Sequence, residues 1–78
     1  MSDDKHFVLD VKGLFSPLAH LKTIQVYNKM EPGDTLCIEH IDPESIDDLI
    51  TILKKYPLQF SGPKHQDGRY VLHLTKIK

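Results

Sequence analysis

Residues 6–11, HFVLDV, alternate, with Phe7, Leu9 and Val11 on one face and Val8 and Asp10 on the other. That is the period-two pattern of a half-buried strand. Gly13 interrupts it. Beyond Pro17 no Gly or Pro intervenes until Pro32, and Leu18, Leu21 and Ile24 recur at near-helical spacing. The pattern predicts a helix over 17–30, stopped by Pro32 and Gly33. Residues 35–41, TLCIEHI, alternate again, Leu36 and Ile38 opposing Thr35, Cys37 and Glu39. DPES (42–45) is read as the start of a second helix, with Asp42 as N-cap, Pro43 at the first helical position and Glu44 complementing the dipole. Ile46, Leu49, Ile50 and Leu53 fall at i, i+3, i+4 and i+7, the spacing of one buried face. Lys54 and Lys55 follow, and Pro57 closes the helix. A short strand is predicted over 58–62, with Leu58 and Phe60 on one side. A polar turn is predicted over 63–68 around the hairpin signal Asp67-Gly68. The last strand spans 69–77, with Tyr70, Leu72 and Leu74 opposing Val71, His73 and Thr75.

The order β-α-β-α-β-β predicts an α/β chain of the α+β two-layer sandwich type, a four-stranded mixed sheet with both helices on one face. The other face is expected to meet water through Val8, Asp10, Cys37, Glu39, Gln59, Val71, His73 and Thr75. A length of 78 residues fits a single domain, 1–78, without internal repeat or linker. A formal net charge of −1 supplies no global field favouring nucleic acid or anionic membrane. One cysteine, Cys37, excludes an internal disulfide and a multi-cysteine zinc site. The N-terminal MSDDKHF lacks a basic region followed by an apolar one, and no apolar run approaches a membrane span. A cytoplasmic location and no membrane partner are therefore expected.

Ser16 stands at the presumptive strand-to-helix turn, where small α/β proteins place nucleophiles and anion sites. As a hydrolytic nucleophile it would need a base and an oxyanion hole. His20 lies one helical turn on, and Leu14 and Leu18 occupy the glycine positions of a nucleophile elbow. The favoured reading is a cap, Ser16 as N-cap with Pro17 as first helical residue. Cys37, mid-strand, reads as a small hydrophobe. His6, His20, His40, His65 and His73 show no ligand spacing, although His6 and His40 are placed at strand ends where they could approach. No metal is expected. The acidic group Asp42, Glu44, Asp47 and Asp48 is read as helix-dipole complementation. Lys12, Lys22 and Lys29 form one basic side, and Lys54, Lys55, Lys64 and Arg69 another.

LDVKGLFSPLAHLKT, with Leu9, Asp10, Gly13, Leu14, Pro17, Lys22 and Thr23, resembles the signature of the TusA/SirA-like sulfur-carrier family, approximately Leu-Asp-x-Arg-Gly-Leu-x-Cys-Pro-x-Pro before a helix. MEPGDTL (30–36), DPESIDDL (42–49) and the closing DGRYVLHLTK resemble its later motifs. The resemblance covers nearly the whole chain. It implies a domain that takes sulfane sulfur from a cysteine desulfurase onto a helix-start thiolate and passes the persulfide on, in the best-known case toward tRNA thiolation. The family's cysteine falls on Ser16, its second proline on Ala19, and its arginine on Lys12. An alcohol forms no persulfide, so the resemblance implies a module without the family chemistry: no catalytic residue, no cofactor, and a protein partner of the sulfur-relay type. The expected partner surface is Lys12, Gly13, Leu14, Phe15, Ser16, Pro17 and Lys22, with Phe15 either an anchor or folded onto the core. Two alternatives stand beside it. One is a sulfur carrier acting through Cys37 or a partner's thiol. The other is RNA binding, suggested by the family's similarity to the C-terminal domain of translation initiation factor three, a likeness of fold alone.

Overall fold

The computed structural model describes residues 4–78; residues 1–3, part of the N-terminal stretch read above, lie outside the described residues. The elements come in the predicted order: β1 (His6–Asp10), α1 (Leu18–Lys29), β2 (Thr35–Ile41), α2 (Ile46–Leu53), β3 (Leu58–Gln66) and β4 (Arg69–Lys76). They form one four-stranded sheet in the order β1-β2-β4-β3. β1 and β2 are parallel neighbours, Phe7 opposite Leu36 and Leu9 opposite Ile38. β4 runs antiparallel to both β2 and β3 and lies between them. The crossover through α2 therefore skips one strand position, and the last strand fills the gap.

One face of the sheet carries the core. Leu36 and Ile38 of β2 and Leu72 and Leu74 of β4 meet Ala19 of α1 and Ile46, Leu49 and Leu53 of α2, all buried. Burying each large aliphatic side chain contributes about 1.5–3 kcal/mol. α2 behaves as its spacing predicts, with Ile46, Leu49 and Leu53 inward and Ile50 half-buried. Leu14, from the loop after β1, packs against the same cluster.

The turn over 30–34 ties three strands together. Asp34 is buried, and its carboxylate accepts the backbone N–H of Lys5 at 2.8 Å and of Glu31 at 2.9 Å. Its own N–H donates to Glu31 O, and its carbonyl accepts from Lys76 N. Lys76 reaches back with its Nζ to the carbonyls of Tyr27 (3.2 Å) and Met30 (2.7 Å), 4.5 Å above the Tyr27 ring. A cation on the last carbonyls of a helix satisfies groups that would otherwise lack donors and opposes the negative end of the dipole.

Four expectations are corrected. The first concerns the bounds of α1, which spans Leu18–Lys29 and not 17–30; it buries Ala19, His20, Thr23 and Tyr27, while Leu18 and Leu21 are each 54% exposed. The second concerns the helix starts. α1 begins at Leu18, with Pro17 in the N-cap position and no side-chain cap. Ser16 lies one residue further out. α2 begins at Ile46 after Ser45; Asp42 instead accepts the N–H of Glu44 at 2.9 Å in a preceding turn. The third concerns the hairpin. β3 continues through Gln66, so residues 63–66 are strand and only Asp67 and Gly68 form the turn, with φ of 53° and 79°. A two-residue loop with both central residues at positive φ matches the strand twist. Pro63 is accommodated because β3 is an edge strand whose register shifts between Ser61 and Lys64. The fourth concerns His6 and His40, which sit at opposite ends of the β1–β2 ladder, His6 beside Thr35 and His40 beside Asp10.

Candidate functional site

The loop between β1 and α1 is built by its own hydrogen bonds. Asp10 Oδ1 accepts Lys12 N at 2.8 Å, and Leu14 N donates to Val11 O at 2.9 Å. Gly13, at φ 79°, occupies the position in this turn that needs left-handed backbone. Val11 is buried and Leu14 half-buried, so the loop is pinned at both sides of its turn. Phe15 O then accepts from Leu18 N and Ala19 N, starting the helix.

What this frame presents is apolar. Phe15 is 58% exposed, together with Leu18 and Leu21 one helical turn apart. Phe15 is therefore displayed and not folded onto the core. Ser16, Pro17 and Lys22 are exposed beside them, and Lys12 and Gly13 are exposed on the turn. Three large apolar side chains exposed between Phe15 and Leu21, with exposed Lys12 and Lys22 close to them in sequence, have the composition of a contact surface. The spacing of Leu18, Leu21 and Ile24 predicts the helix but not its buried face, which falls on Ala19, His20, Thr23 and Tyr27.

His20 is 5% exposed, and its Nε2 is buried without a hydrogen-bond partner, so it is not engaged with the Ser16 hydroxyl. Cys37 is elsewhere, on the opposite face of the sheet between Val8 of β1 and His73 of β4. Its Sγ lies 4.0 Å from His73 Nε2. Although it belongs to the open face, it is 7% exposed, because a central strand is covered by side chains from both neighbours. Burial first, and then the charge of Glu39, push its thiol pKa up. Both of these causes disfavour a thiolate.

Among the described residues no group of three or more His, Cys, Asp or Glu is arranged to hold a metal ion. Nor, among the described residues, is any helix long and apolar enough to cross a membrane. The second basic side divides, since Lys54 and Lys55 precede β3 while Lys64 and Arg69 lie at its far end by the hairpin turn.

Sequence reasoning did not find a cleft of about 300 Å³ beyond the carboxyl ends of β1 and β2, lined by Lys12, Glu39, His40, Gln66, Asp67, Arg69 and Val71. His40 enters it from an irregularity in β2, at φ 60°, with Nδ1 3.0 Å from Asp10 Oδ1. The Asp10 carboxyl is held below its ordinary pKa, chiefly by the Lys12 N–H and then by the hydrogen bond to His40.

A family model described as sulfurtransferase TusA matches residues 7–76. No curated protein and no solved structure matches the chain.

Proposed function

Because the chain belongs to the TusA sulfurtransferase family, a family of sulfur-relay domains, we propose that it works as a binding module of such a relay and carries no persulfide itself. One observation carries this reading. The loop that resembles the family's sulfur-loading motif presents an alcohol, Ser16, beside exposed Phe15, Leu18 and Leu21. On this reading the exposed surface does the binding and the loading position holds an oxygen in place of sulfur. Lys12 and Lys22 at its rim suit a partner with an acidic border, and rim charges of this kind act mainly on encounter rate and orientation.

The rival carrier reading needs Cys37. Its proximity to His73 supports it, and its burial on the opposite face of the sheet from the helices opposes it. An RNA reading has less support, since the lysines are divided and no stacking-aromatic motif accompanies them.

The test is intact mass under non-reducing conditions after incubation with a cysteine desulfurase and cysteine. The wild-type mass is expected to stay unchanged, as is that of Cys37→Ser, whereas Ser16→Cys gains one sulfur atom. A wild-type species one sulfur heavier that vanishes in Cys37→Ser would assign the carrier role to Cys37 and overturn the proposal.

A further inference from the structure

The two edges of the sheet are built differently. β3, at one edge, carries Gly62 at φ 102°, then Pro63 and Lys64, and its register against β4 shifts between Ser61 and Lys64. A bulge, a proline without an N–H and a lysine are devices by which an edge strand refuses a further strand. β1, at the other edge, has none of them within His6–Asp10. Its residues pair in unbroken register with β2, on one side only. Thr35 N donates to Lys5 O, and Val11 N donates to Glu39 O, so the odd-numbered residues turn their backbone groups toward β2. Backbone direction alternates along a strand, which turns the N–H and C=O groups of His6, Val8 and Asp10 outward. Val8 is 59% exposed on the face away from the helices, and Phe7 and Leu9 are only half-buried on the other.

We infer that β1 pairs antiparallel with β1 of a second copy of this chain, about a two-fold axis at Val8, joining the two sheets edge to edge. The strand is complementary to itself in that register. Val8 falls opposite the partner's Val8, and His6 opposite the partner's Asp10. These are the outward-facing residues, so each pair exchanges backbone hydrogen bonds. Phe7 falls opposite the partner's Leu9 at a non-hydrogen-bonded position, where side chains approach most closely. Each covers apolar surface that the free edge leaves half-open. The charges agree as well. His6 Nδ1 is engaged by Thr35 Oγ1 at 2.6 Å, which leaves Nε2 on the other side of the ring. Asp10 uses Oδ1 for Lys12 N and His40 Nδ1, which leaves Oδ2. A slip of two residues one way brings Asp10 toward the partner's Asp4, and the other way His6 toward the partner's Lys12. Like charges across strands oppose pairing, so both slips are disfavoured. A strand this short makes a contact smaller than a standard interface, and the association is correspondingly weak. This edge is separate from the surface of Phe15, Leu18 and Leu21 and does not depend on its role.

The experiment is sedimentation equilibrium of the full chain, joined to isotope-filtered magnetic resonance on a mixture of labelled and unlabelled chains. A monomer–dimer equilibrium is expected with a dissociation constant of about 0.1–1 mM, so the range sampled runs to roughly 2 mM. The filtered spectrum should show Phe7 Hα close to Leu9 Hα of the other protomer, the contact this register demands. Val8→Lys, a lysine placed on the free edge, should weaken association about tenfold or more. His6→Glu, which meets the partner's Asp10, should weaken it about threefold, and His6→Lys should strengthen it. Each variant is compared only once its core resonances match the wild type. A monomer throughout the range would overturn the inference. So would association without the Phe7–Leu9 contact between protomers, or association indifferent to Val8→Lys. Loss of association in Leu21→Asp with none in Val8→Lys would place the contact at the start of α1 and overturn it equally.

Discussion

Cys37 Sγ and His73 Nε2 face each other at 4.0 Å across the β2–β4 ladder, on the side of the sheet away from both helices. A cysteine beside a histidine suggests an activated thiol, but burial outweighs the neighbour. The thiol pKa is raised, first by desolvation and then by Glu39. Iodoacetamide should therefore modify Cys37 more slowly than free cysteine, about tenfold or more at pH 8, with the rate profile displaced to higher pH. Glu39→Gln should move that profile part of the way back. Because folding favours the neutral thiol, its contribution to stability is complete below the ordinary thiol pKa and is lost as pH rises through the raised value. Rapid modification at neutral pH would show that the site opens readily.

Asp34 makes the opposite kind of contribution. Its carboxyl is held below the ordinary carboxylate range, chiefly by the Glu31 N–H and then by the Lys5 N–H. That stability is present above the unfolded carboxylate pKa and lost as pH falls through the lowered folded value. Asp34→Asn should lower the melting temperature at pH 7 by about 5 °C or more. It should also flatten the acid limb of the stability profile. An unchanged acid limb would place the sensitivity in another carboxylate.

Lys76 binds two carbonyls at the end of α1 and lies over Tyr27. Lys76→Met keeps most of the aliphatic stem and removes the charge. It should cost about 1 kcal/mol in urea unfolding, the scale of a helix-end cation with a ring contact. A loss that grows at high salt would contradict an electrostatic origin.

His20 is a buried side chain with an unpartnered Nε2. Leaving such an atom without a hydrogen bond costs roughly 1–3 kcal/mol. His20→Leu, similar in reach and without the polar atom, should therefore leave stability unchanged or raise it by about 1 kcal/mol. A clear destabilisation in denaturant would reveal a partner for that nitrogen.

Leu18 and Leu21 provide the contrast. Each is more than half exposed, so Leu18→Asp and Leu21→Asp should alter stability by only about 0.5 kcal/mol. Both should abolish association with a cysteine desulfurase or another sulfur-relay partner, measured by calorimetry. Undiminished binding would move the docking surface away from the start of α1.

Sequence alone was enough for element order, sheet composition and the buried face of α2. Alternation and 3.6-residue spacing are local consequences of which side of an element meets the core, and Pro and Gly punctuate them. The family resemblance was also legible there, because its motifs are a matter of residue identity and spacing. Three features were decided only by tertiary packing. Leu18 and Leu21 face water since α1 buries Ala19, His20, Thr23 and Tyr27, and which stripe of a weakly amphipathic helix turns inward depends on the sheet beneath it. Residues 63–66 became strand because β4 was available to pair with them, a non-local hydrogen-bonding gain that outweighed their turn-like composition. Lys12, Glu39 and Arg69 line one cleft because three strand ends converge, and no spacing in a linear chain encodes that convergence.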